Sequence, residues 1–144
     1  MLSKEYIAGL FDGEGHVSIT VTQREGQTDP KLCVKLTNTH LPVMEMFKEQ
    51  YGGTFYLQKK SEEHHLQVYQ LSLNVTESKK FLSEILPYLV IKKRQAEIAL
   101  EFSSTIYRRG RKPVTEEEKN LRESLMTEMR AEKYKQWVQL RQTI

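Results

Sequence analysis

Two carboxylates and three glycines crowd into nine residues near the start of the chain, Ile7-Ala8-Gly9-Leu10-Phe11-Asp12-Gly13-Glu14-Gly15. Ser3 is a good N-cap, and Tyr6, Ile7, Leu10 and Phe11 recur at helical spacing, so Lys4 to Asp12 reads as a short helix that stops at Gly13 and Gly15. A glycine inside a helix costs about 1 kcal/mol relative to alanine, yet Gly9 and Gly13 stand four apart, on one face beside Ala8. Something must approach that face closely. The simplest partner is the same face of a second copy, because a twofold axis presents identical patches to each other. The acids are placed as awkwardly as the glycines, since a helix C-terminus carries roughly −0.5 charge and disfavours Asp12 and Glu14. A bound cation offsets that repulsion, and two carboxylates brought near each other by such a dimer contact, together with the backbone carbonyls of the helix end, form an oxygen-rich site suited to Mg²⁺. A tight helix end with solvated acids explains the same residues without a cation.

The elements that hold this segment alternate between two periodicities. From His16 to Arg24, Val17, Ile19 and Val21 take one face and His16, Ser18, Thr20, Thr22 and Arg24 the other, the pattern of a half-exposed strand. After the turn-rich stretch EGQTDP, Leu32, Val34 and Leu36 alternate against Lys31, Cys33, Lys35 and Thr37, which predicts a second strand antiparallel to the first. Thr39 precedes a helix with Pro42 in its first turn and Val43, Met46, Phe47 and Tyr51 along it, ended by Gly52-Gly53. Thr54 to Lys60 and Leu66 to Leu73 read as another strand pair joined by SEEHH. Thr76 and Glu77 start a helix bearing Phe81, Leu82, Ile85 and Leu89, bent or ended by Pro87. A further helix spans about Ile91 to Tyr107. After RRGRKP, a capping box at Thr115 to Glu118 opens a long amphipathic helix with Leu121, Leu125, Met129 and Trp137. No segment repeats another, and the chain is of the α+β class.

A chain of 144 residues, 38% apolar and 28% charged, suits one globular domain with a real core. No run approaches the roughly 18 apolar residues of a membrane-spanning helix, and MLSKEYIAGLFDGEG is neither a signal peptide nor a transit peptide. These features predict an intracellular protein with no membrane partner. The lone Cys33 excludes an intrachain disulfide and, in the apolar run Leu32-Cys33-Val34, reads as a buried thiol. The net charge of +3 is concentrated: residues 1–91 carry 9 Lys and Arg against 11 Asp and Glu, residues 92–112 carry 7 against 2, and residues 113–144 carry 6 against 6. Clustered positive charge is the footprint of a phosphate-binding surface, although a solvated basic loop gives the same count.

The nonapeptide IAGLFDGEG resembles the LAGLIDADG motif of homing endonucleases, matching it or substituting conservatively at each position. The α-β-β-α-β-β-α order agrees, and ILPYLVIKKRQA is similar to the family segment that delivers an active-site lysine. About residues 3–105 are covered, leaving 106–144 as a helical extension of a single domain. The resemblance implies the family's saddle-shaped antiparallel sheet and a single-motif homodimer that cuts both strands of a long, pseudo-palindromic DNA duplex with a stagger, using Mg²⁺ or Mn²⁺. It assigns Glu14 and the Gly13 carbonyl to the metal, Lys92 to the reacting phosphate or its water, and Asn38 to the surrounding water network. Asp12 serves the helix end, and Ala8, Gly9, Asp12 and Gly13 form the dimer contact. The family usually has Asp where Glu14 stands; Glu remains an adequate oxygen ligand. A twisted two-stranded ribbon fits the major groove, which makes Ser18, Thr20, Thr22, Arg24, Lys31, Lys35, Tyr56, Gln58, Lys60, Gln67 and Gln70 candidate base readers. Arg108, Arg109, Arg111 and Lys112 are candidate phosphate contacts. The gene would sit in a prokaryote or an organelle.

Two other classes share these features: an RNA maturase that helps an intron fold, and a DNA-binding protein that has lost catalysis. Intact Glu14 and Lys92 favour the enzyme. His64-His65, at the tip of the second hairpin, lacks acids or cysteines at ligand spacing and is read as no metal site. The Leu121, Leu125, Met129 stripe is read as packing surface rather than a partner groove.

Overall fold

In a computed structural model, residues 1–24, 27–106 and 113–143 are described, with 24, 27, 28, 140 and 143 by their backbone alone. The order is helix α1 (Lys4–Glu14), strands β1 (Gly15–Arg24) and β2 (Gln27–Asn38), helix α2 (Leu41–Tyr51), strands β3 (Thr54–Leu57) and β4 (Tyr69–Leu73), then helices α3 (Val75–Ile85), α4 (Lys93–Ser104) and α5 (Glu116–Thr143), with a 3-10 turn at Leu86–Tyr88. The strands form one antiparallel sheet in the order β1-β2-β4-β3. This is the α+β fold with an α-β-β-α-β-β-α core and added C-terminal helical structure.

Helices α1, α2, α3 and α5 begin where a side chain can accept from an otherwise orphaned backbone N–H, whereas α4 has no side-chain cap. Ser3 accepts from Tyr6 to open α1. Two other helices are opened by residues different from those the sequence pattern placed at their starts. His40, not Thr39, accepts from Val43 at the start of α2, and Asn74, not Thr76, forms a capping box with Glu77 at the start of α3. Gly52 and Gly53 adopt φ of 85° and 101°, a left-handed turn open to glycine that reverses the chain from α2 into β3. The second hairpin is shorter than the pattern suggested. Its ladder ends at Leu57 and Tyr69, extended only by Gln58 N–H donating to the Val68 carbonyl at 3.0 Å.

One face of the sheet carries Val17, Ile19, Val34, Leu36, Leu71 and Leu73 against the helices. Phe81 centres that core, with the rings of Phe11, Phe47 and Tyr51 each 5.0 Å from its own in edge-to-face contacts. Burying each such side chain contributes about 1.5–3 kcal/mol, so the cluster holds α1, α2 and α3 as a unit. The C-terminal helix is part of this core: Leu125 and Met129 are buried, while Leu121 and Trp137 stay largely exposed. Cys33 differs from its expected burial. It is only half-buried, because it pairs with Ser18 on the opposite, polar face of the sheet. No described helix is long and apolar enough to cross a membrane.

Candidate active site and nucleic-acid interface

The end of α1 is held by its own acid. Asp12 is buried, and its Oδ2 accepts from the backbone N–H groups of Val90 (2.8 Å) and Ile91 (3.2 Å) while Oδ1 accepts from Lys92 N–H (2.9 Å). Charge-assisted bonds of this kind are worth about 1.5–3 kcal/mol each, which outweighs the helix-dipole repulsion of about 0.3–1 kcal/mol. The Lys92 ammonium returns the contact by donating to the backbone carbonyl of Asp12. Residues 80 apart in sequence are thereby locked together.

Lys92 is half-buried, and that burial lowers its pKa, opposed by the negative charges of Asp12 and Glu14. Glu14, in the last turn of α1, is exposed and has no hydrogen-bond or ion-pair partner among the described residues. A free carboxylate at a helix end, beside backbone carbonyls, is a hard oxygen donor set, and that chemistry fits Mg²⁺.

On the polar sheet face the register aligns the side chains in rows. His16 stands opposite Lys35, Lys35 opposite Ser72, and Ser72 opposite Thr54. His16 hydrogen-bonds Ser18 Oγ through Nε2 at 2.8 Å, and its pKa falls to about 4, through burial first and then the positive charges of Lys133, Lys35 and Lys92. Lys133 comes from α5, which also packs on β1 and β2.

Ser18, Thr20, Thr22, Lys31, Lys35, Tyr56 and Gln70 share this face by register. Gln58 also reaches it, donating to Gln70 Oε1 at 3.3 Å. Lys60 and Gln67 lie beyond the strand ends; Gln67 donates to the Gln58 carbonyl at 2.8 Å. Arg24 closes β1, and Arg108, Arg109, Arg111 and Lys112 lie outside the described residues.

Three expected groupings are redistributed. Asn38 has the parity of Val34 and Leu36, so it stands on the helix side of β2, where its Oδ1 accepts from His40 N–H at 2.8 Å. It lines an open groove of about 390 Å³ with Leu2, Tyr6 and Leu10. Thr37, one residue earlier, is on the polar face beside the Gly15–Leu36 pair. The four residues expected in a helix contact divide as well. Ala8 and Asp12 are buried inside the chain, whereas Gly9 and Gly13 face open space, with nothing within 4 Å of a Cβ added at either. Finally, His64 does have an acidic neighbour: Glu62 Oε2 lies 3.1 Å from its Nε2, and Glu62, His64 and His65 form an exposed trio at the hairpin tip. Sequence reasoning missed His16, Thr37 and Lys133. Strand parity already put His16 and Thr37 on the polar face, but nothing local marked Lys133.

Residues 7–112 match the family described as LAGLIDADG endonuclease, and the chain belongs to that family. Its fold is similar to that of the archaeal intron-encoded homing endonuclease I-Vdi141I, solved in complex with DNA (TM-score 0.69, 20% identity, 90% of this chain and 82% of that one). It is also similar to I-CvuI, a homing endonuclease solved with its target and calcium (0.63, 16%, 85% and 78%). For I-SmaMI, bound to uncleaved DNA in the presence of calcium ions, the values are 0.66 and 15%, over 89% of this chain and 45% of that one. A comparison with curated proteins found no match.

Proposed function

We propose that residues 1–144 form one subunit of a homodimeric homing endonuclease that makes a staggered double-strand break in a long, pseudo-palindromic DNA target by Mg²⁺-dependent hydrolysis, with Mn²⁺ as a substitute. The observation that carries this reading is the Glu14 carboxylate, without a hydrogen-bond or ion-pair partner among the described residues and close enough to Lys92 for its charge to act on it, at the end of a helix whose Gly9 and Gly13 are uncovered. Two copies meeting along those glycines would bring two such acids together over one duplex. Glu14 and the Gly13 carbonyl would hold the metal, which when bound polarises a phosphate and lowers the pKa of an attacking water. Lys92 presents its ammonium to the charge that develops on the phosphate. The polar rows of β1 to β4 read base edges, as two-stranded ribbons do in the major groove. I-CvuI with calcium and I-Vdi141I with DNA lend support at the level of the family. The protein acts where its host DNA is, in a prokaryotic cytoplasm or an organelle.

The test is selection of cleaved sites from a randomised duplex library with Mg²⁺, followed by the Glu14→Gln variant on the selected site. The variant is expected to bind the duplex and not cut it. Cutting at the wild-type rate would overturn the role of Glu14, and a monomer that severs both strands would overturn the dimer.

A further inference from the structure

The inner stripe of α5 begins as an ordinary packing face and then changes character. Leu125 and Met129 are buried, one turn apart. The next position on that stripe is Lys133, half-buried, and one turn further Gln136 is fastened to the segment that carries Lys92. Gln136 donates to the Ile91 carbonyl at 2.9 Å and accepts from Gln95 Nε2 at 3.1 Å. Arg94 of α4 pairs with Glu128 of α5 at 2.9 Å on the same junction. Lys133 is therefore held by contacts on either side of it along the helix, and it has no hydrogen-bond or ion-pair partner among the described residues. Where α5 packs on β1 and β2, Lys92 and Lys35 are near enough for their positive charges to oppose that of Lys133, Cys33 lies near it as well, and the neutral His16 feels its charge in turn. A half-buried lysine among like charges, with no carboxylate paired to it, is unfavourable in the free protein. That cost is offset when an anion arrives.

We propose that Lys133 is a phosphate-binding residue, through which α5, lying beyond the family-matched residues 7–112, grips the DNA backbone next to the Glu14–Lys92 site. The assignment rests on the nuclease reading above and adds a third element to the site, besides the ends of α1 and α4.

The experiment measures binding of the full-length protein to a 30-base-pair duplex of random sequence, without divalent metal, as a function of salt. Each neutralised phosphate contributes about 0.9 to the slope of log affinity against log salt, so Lys133→Met in a homodimer is expected to lower the slope by about 1.8. Between about 50 and 200 mM salt the wild type should then lose roughly tenfold more affinity than the variant. Lys133→Arg should restore the wild-type slope. Thermal melting separates binding from packing: removing a desolvated charge should leave Tm unchanged or raise it. Lys133→Gln gives a second reading if the methionine variant does not fold. Tight binding with equal slopes for wild type and both neutral variants would overturn the assignment while leaving DNA binding intact. A slope that Arg fails to restore would overturn it too. Wild-type protein that holds no duplex would instead bring down the nuclease reading itself.

Discussion

Asp12 and Glu14 are two acids on one helix end with opposite surroundings. Asp12 is enclosed by three backbone N–H donors and serves the fold, whereas Glu14 has no such donor among the described residues, which leaves it free for the metal-binding role proposed above. His16, two residues on, is pressed toward the neutral form by burial and by three lysines. This has a stability consequence for the metal-free protein. The unfolded imidazole takes its proton near pH 6.5 and the folded one near 4, so the unfolded state binds more protons between those values. The contribution is whole above pH 6.5 and is lost as pH falls toward about 4. We expect His16→Gln to flatten the decline of Tm in that window relative to wild type. Curves that stay parallel from pH 7 to 4 would mean that the histidine titrates alike in both states.

At the scale of the element, α1 has one closed and one open face. Ile7, Ala8, Phe11 and Asp12 are buried within the chain, while a Cβ added at Gly9 or Gly13 would meet nothing within 4 Å among the described residues. Glycine is a poor helix former, and within one chain nothing prevents a larger residue here. Gly9→Leu is accordingly expected to stabilise the isolated subunit by up to about 1 kcal/mol, from helix propensity. The same substitution should abolish dimerisation by blocking the close approach of two helices. Chemical denaturation and sedimentation equilibrium together read both effects. A dimer that persists with Leu at position 9 would show that the open face is not the contact.

For the molecule as a whole, the question is whether α5 is an appendage or part of the body. Its buried Leu125 and Met129, the Gln136 bonds to Ile91 and Gln95, and the Arg122 side chain donating to the Thr105 carbonyl at 2.8 Å bind it to α4 and the segment before it. Leu125→Ala should therefore cost about 2–5 kcal/mol, the range for a fully buried leucine. That loss should move the single melting transition of the entire chain. Separate melting of α5, with the main transition unmoved, would show that the helix is only loosely attached.

Much of this arrangement is determined by local sequence. Period-two alternation at His16 to Arg24 and Lys31 to Thr37 defined the long hairpin and its two faces, because successive strand residues must point to opposite sides. Ser3 and the spacing of Ile7 and Phe11 defined α1, and the motif singled out Glu14 and Lys92. Helix caps were less legible, since His40 and Asn74 compete with equally good neighbours. Only the tertiary structure decided which acid would be consumed by the fold, that Asn38 turns to the helix side while Thr37 does not, and that Lys133 joins a cluster drawn from β1, β2 and the start of α4. Those outcomes depend on interactions between residues up to 117 positions apart, as in the charge of Lys133 acting on His16. Local periodicity carries no record of such pairs, because they form only once the sheet and helices have packed.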